Sequence, residues 1–125
     1  YEFGDPAGMP CVYATGTPTS GIAGAFYHEA ARDAGVRWIS PDKPGYGQSD
    51  PQPGGGLIDW AEDIAALADH LQLERFAVAG ESGGGRAPWR CAMRCPGASP
   101  SPCCSPPSAR CRMPPPAAAC TAPTA

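Results

Sequence analysis

Beyond Glu81 this chain contains no aspartate, no glutamate and no histidine. A reaction that needs a protein base downstream of that point finds none in the sequence. Residues 86–125 also contain no Leu, Ile, Val, Phe or Tyr, which excludes a packed core built from that stretch. The same stretch holds ten of the 17 prolines, six of the seven cysteines and five arginines. Its cysteines (Cys91, Cys95, Cys103, Cys104, Cys111 and Cys120) include no C-x-x-C pair, so a zinc site would rest on thiolates alone at irregular spacing. A disulfide framework would need an oxidising compartment, for which the sequence carries no signal. We therefore expect 86–125 to be a low-complexity, disordered tail and 1–85 to be the folded part.

Other absences narrow the function. No apolar run is long enough to span a membrane, and no signal peptide is visible. All 12 acidic residues lie in 1–85, against Arg32, Arg37, Lys43 and Arg75, so the body offers no basic surface for nucleic acid. The tail arginines are too scattered to form a basic stripe. The expected setting is cytoplasmic, with no membrane and no nucleic-acid partner; the oligomeric state is not legible. The chain opens on Tyr1 rather than Met, from which we expect an incomplete or processed N-terminus.

What is present alternates. Residues 1–6 read as a strand end followed by an Asp-Pro turn. Cys11-Val12-Tyr13-Ala14 is a short buried strand that stops at Thr15-Gly16-Thr17-Pro18. Phe26, Tyr27, Ala30, Ala31 and Ala34 have helical spacing over 25–34, with Gly35 as the stop. Val36-Arg37-Trp38-Ile39 is a strand, followed by a glycine-proline loop over 41–50. Leu57, Trp60, Ala61, Ile64, Leu67, Ala68 and Leu71 form the apolar stripe of a second helix. Its other face carries Asp59, Glu62, Asp63 and Asp69, which we expect to be solvated. Residues 74–79 make a strand that runs into Gly80-Glu81-Ser82-Gly83-Gly84. This order predicts an α/β fold, a mostly parallel sheet flanked by helices. The loops after the three strands should meet at one sheet edge.

Gly80-Glu81-Ser82-Gly83-Gly84 fits G-x-S-x-G, a sharp strand-to-helix turn that lifts a serine hydroxyl clear of the backbone. Such a turn is too crowded for a Cβ two residues to either side of the serine, hence Gly80 and Gly84. With Thr15-Gly16-Thr17-Pro18 and Asp42-Lys43-Pro44-Gly45-Tyr46-Gly47-Gln48-Ser49, it makes 1–85 resemble the α/β-hydrolase superfamily. The two earlier segments look like that family's His-Gly-Thr-Pro and Asp-Arg-Pro-Gly-x-Gly-x-Ser loops. The resemblance covers about two thirds of the chain but only the front of a complete family domain. It implies Ser82 as nucleophile, the N–H groups of Gly83 and Thr17 as oxyanion donors, and a small-molecule ester, amide or related carbonyl substrate. No cofactor and no metal are implied. Ser82 speaks against the family's dehalogenases, which use Asp there; cofactor-free haloperoxidase-like members share the serine. Thr15 departs from the family's histidine, which puts the loop's bracing in question rather than the chemistry. Asp42 is expected to shape its loop through backbone N–H groups.

In this family the acid and the histidine follow the serine, and here neither does. His28 and His70 precede it and read as helix-face residues. The composition of 86–125 is that of GC-rich DNA translated in a wrong frame. Codons taken from each third base and the next two turn Trp89-Arg90 and Met93-Arg94 into Ala. In that frame Cys103-Cys104 gives Leu, and Pro88-Trp89, Arg90-Cys91 and Arg94-Cys95 give only Leu, Met or Val. The shifted frame reads as an amphipathic helix followed by a strand. We therefore expect a frameshift near Gly85, a catalytically incompetent product, and poor folding or aggregation. The alternatives are a non-catalytic truncated product or a binding module that reuses the fold.

Overall fold

The computed structural model describes residues 1–86. The expectations for the tail, including its cysteines and its reading frame, lie outside the described residues. Four strands form one sheet: β1 (Glu2–Gly4), β2 (Met9–Ala14), β3 (Val36–Ile39) and β4 (Ala77–Gly80), in the order β1-β3-β2-β4. β2 runs parallel to both β3 and β4, and β1 lies antiparallel on the far side of β3. A parallel pair needs a crossover that carries the chain back along the sheet. α1 (His28–Asp33) serves β2 to β3, and α2 (Leu57–His70) serves β3 to β4.

Strand alternation divides the side chains between two faces. Val12, Ala14 and Ile39 meet Trp60, Ala61, Ile64 and Ala68 of α2, closed off by Leu73 and Phe76. Cys11 and Val36 meet Ala31 of α1 on the opposite face, with Trp38, Ala77 and Ala79 around them. The sheet is thus a middle layer with helix on both sides. In the α2 stripe Trp60, Ala61, Ile64 and Ala68 are buried, and Leu67 and Leu71 are partly buried against them. Its first turn is held by Asp59, whose Oδ2 accepts the Gly56 N–H at 2.5 Å. Asp59 was expected on a solvated face; it serves instead to satisfy one of the amides that a helix start leaves open.

The first helix differs more. Residues Gly21–Tyr27 wind as a 3-10 segment, and α-helix begins only at His28. This segment packs closely on the end of β3. A Cβ on Gly21 would stand 2.3 Å from the Ser40 carbonyl oxygen, and one on Gly24 would stand 2.7 Å from the Ser40 Cβ. The tighter winding turns Phe26 outward, 90% exposed, although its spacing suggested the apolar face. At the other end Gly35 takes φ +64°, the left-handed stop expected of it.

Among the described residues β4 pairs only with β2. Its outer edge offers the backbone of Ala77, Val78, Ala79 and Gly80 with no charge and no proline to discourage another strand. We expect the full chain to self-associate as its concentration rises from about 1 to about 100 μM. Sedimentation velocity showing one unchanging monomer over that range would contradict this.

Candidate active site

The carboxyl ends of β2, β3 and β4 are occupied by Thr15-Gly16-Thr17-Pro18, the loop containing Asp42 and Lys43, and Gly80-Glu81-Ser82. All three segments expected at one edge are there. Ser82 has φ +49°, a left-handed conformation that costs a residue with a Cβ on the order of 1 kcal/mol or more. Its neighbours hold it there. The Glu81 N–H donates to Ala14 O at 3.1 Å, and the Gly84 N–H donates to Glu81 O at 2.8 Å. A Cβ on Gly84 would lie 2.1 Å from Ala14 O, and one on Gly80 would lie 2.4 Å from Gly84 O. Gly84 is therefore glycine because the elbow presses against the end of β2, and Gly80 because the turn folds back onto its own backbone at Gly84 and Gly85.

Thr17 and Gly83 come together at this edge. A Cβ on Gly83 would stand 2.9 Å from Thr17 Oγ1 and 3.6 Å from the Thr17 nitrogen. One on Gly16 would stand 3.3 Å from the Ser82 Cβ. Ser82, Thr17 and Gly83 are all exposed there, while Gly84 and Gly85 are buried beneath.

The Asp42 loop works as its pattern suggested. Asp42 Oδ1 accepts the Gly21 N–H at 2.5 Å, and Oδ2 accepts the Gln48 N–H at 2.9 Å. The Asp42 carbonyl accepts the Ser49 hydroxyl at 2.9 Å. Gly47, at φ +54°, leaves room for that carboxylate, 2.1 Å from where its Cβ would be.

Other contacts had no counterpart in the sequence reading. Thr15 is fully buried and its hydroxyl donates to Thr19 O at 3.3 Å. Lys43 Nζ donates to Thr15 O at 3.0 Å and to Gly16 O at 2.7 Å. Burial of the ammonium draws its pKa below the ordinary lysine range. The Glu81 carboxylate accepts a short hydrogen bond from the Tyr13 hydroxyl and a longer one, at 3.4 Å, from Tyr27. Burial, and then the bond to Glu81, pushes the Tyr13 phenol well above its usual range. A cavity of about 180 Å³ opens between Gly83, Lys43, Tyr46, Gln52 and Trp60. The only signal for the Thr15, Lys43, Tyr13 and Glu81 contacts was position, at or near a strand end.

The remaining titratable candidates are engaged elsewhere. His28 Nδ1 accepts the Gly4 N–H at 3.1 Å and so anchors the end of β1, rather than serving as a plain helix-face residue. His70 is exposed at the last turn of α2. The buried Cys11 thiol is pushed up to about 12 by desolvation, which leaves it unreactive near neutral pH.

Gly84→Ala should cost about 2–3 kcal/mol, since the added methyl meets backbone rather than a movable side chain. Gly56→Ala, whose Cβ would have only an ordinary 3.7 Å contact, should cost under about 1 kcal/mol. Urea denaturation at low micromolar concentration measures both. Equal losses would show that the elbow is not close-packed.

No family model matches the chain. Solved structures do. An esterase from Thermogutta terrifontis is 29% identical, with a TM-score of 0.67 over 75% of this chain and 34% of that one. An esterase from Exiguobacterium antarcticum is 26% identical, with a TM-score of 0.65 over 74% of this chain and 34% of that one. An epoxide hydrolase from Vigna radiata is 24% identical, with a TM-score of 0.65 over 74% of this chain and 31% of that one. The chain spans about a third of the length of these structures. Its mixed, mostly parallel sheet with helix on either face is that of a partial α/β-hydrolase fold.

Proposed function

We propose that this chain derives from a serine hydrolase that cleaves an ester, amide or related small carbonyl compound through an acyl-Ser82 intermediate. The observation that carries this reading is Ser82 at φ +49° between two glycines that cannot accept a Cβ. Such strain persists only where the surrounding structure over-determines it. The Ser82 hydroxyl oxygen attacks the carbonyl carbon, and its proton passes to a base. The carbonyl oxygen takes the charge between the N–H groups of Thr17 and Gly83, two fixed donors placed where that charge develops. Collapse expels the alcohol or amine, and water then releases the acid. The esterases among the structural neighbours agree with this substrate class.

The base is what the chain lacks, for no His, Asp or Glu follows Ser82. A triad stripped of its base loses most of its rate. We assign the missing groups to a second reading frame that departs near Gly85, which makes the chain as written catalytically incompetent. The composition of 86–125 favours this over a binding module that reuses the fold, which would not require Ser82.

p-Nitrophenyl butyrate hydrolysis tests the reading. The 125-residue chain should show no turnover above its Ser82→Ala variant. The product of the restored frame should turn over, and Ser82→Ala should lower its kcat by about 10⁴-fold or more. Turnover that survives Ser82→Ala in the restored product would refute the assignment of the nucleophile. Ser82-dependent turnover by the chain as written would refute its incompetence.

A further inference from the structure

We propose that Lys43 is the positioning residue of residues 15–18, aiming the Thr17 N–H toward the Gly83 side of the site. This rests on the reading of Thr17 as an oxyanion donor. Lys43 Nζ reaches three acceptors on that loop: Thr15 O at 3.0 Å, Gly16 O at 2.7 Å and Thr17 Oγ1 at 3.4 Å.

Geometry makes the Gly16 contact decisive. Gly16 C=O and Thr17 N–H belong to one planar trans peptide, so they point in opposite directions. A cation that pulls the Gly16 oxygen inward turns the Thr17 N–H outward. Gly83 is the neighbour of this peptide, with Thr17 N 3.6 Å from its would-be Cβ. The loop's own side chains brace only part of this arrangement. The Thr15 hydroxyl is spent on Thr19 O, and the Thr19 hydroxyl reaches Gly16 O at 2.8 Å without bearing charge. Two carbonyls converging on one point repel each other unless a positive group sits between them, and the ammonium does so. Charge-assisted hydrogen bonds of this kind are about twice as strong as neutral ones.

Lys43 is itself held. Its Nζ lies 4.5 Å from the centre of the Tyr46 ring, a cation–π distance. Asp42, the preceding residue, is fixed by the amides of Gly21 and Gln48. The loop after β3 thereby sets the peptide orientation in the loop after β2.

Hydrogen exchange on the full chain, read by mass spectrometry at about 1 μM, tests this without turnover. The reporter is the Thr19 N–H, which donates to Gly16 O at 3.2 Å. Lys43→Met should speed its exchange about tenfold while Val12 and Tyr13 in β2 stay unchanged. Lys43→Arg, which keeps a cationic donor, should restore protection to within about twofold of the parent. An unchanged Thr19 rate in Lys43→Met would overturn the proposal, as would a failure of Lys43→Arg to restore it. If Lys43→Met also speeds Val12, the Lys43→Gln variant decides: partial protection of Thr19 supports the proposal, and none overturns it. Since the reporter does not involve Ser82, failure here leaves the hydrolase reading standing, and absent turnover leaves this proposal standing.

Discussion

The carbonyl oxygen of Ala14 is the point on which the site rests. It ends β2, accepts the Glu81 N–H at 3.1 Å, and lies where a side chain on Gly84 would have to go. That contact draws the turn after β4 hard against the neighbouring strand. The turn can close only if Gly80 and Gly84 lack side chains and Ser82 accepts a left-handed backbone. Strain at Ser82 is thus the local cost of a sheet-level fit. A looser approach would relax the serine and separate Gly83 from Thr17.

Around this contact the three strand-end loops are tied to one another rather than merely adjacent. Asp42 binds the amide of Gly21 and so couples the loop after β3 to the segment leading into α1. Lys43 binds the carbonyls of Thr15 and Gly16 and couples the same loop to the one after β2. Glu81 accepts the hydroxyls of Tyr13 and Tyr27, coupling the elbow to the face that α1 covers. Few of these groups are wholly buried, so each bond contributes modestly. Together they tie the ends of β2, β3 and β4 to one another.

Much of the architecture was legible in the sequence because it rests on short-range signals. Periodicity located α2, and the β-branched and aromatic run Val36-Arg37-Trp38-Ile39 gave β3 with its limits. Gly80 and Gly84 declared the elbow because no other residue fits there. The sequence was silent where tertiary packing decided. The 3-10 segment Gly21–Tyr27 lies against Ser40, a contact that helical spacing cannot reveal. The outward turn of Phe26 follows from the 3-10 winding. Asp59 passed for a solvated residue because helix-face polarity and a cap look alike until the Gly56 amide is placed. Lys43 as a brace was hidden for a similar reason: its partners are backbone carbonyls, which leave no mark on a sequence.

Residues up to Gly85 supply a strained serine beside two backbone amides, and the residues given after it include no Asp, Glu or His. These two facts are reconciled if the stretch beyond Gly85 is translated in the wrong frame. The most direct measurement is the DNA sequence across the codons for Gly84 to Arg90 and onward, read in both frames. The account predicts one inserted or deleted base whose correction yields a helix, a strand and then an acid and a histidine. A frame confirmed as written, with a genuine stop after Ala125 and no coherent alternative, would contradict it.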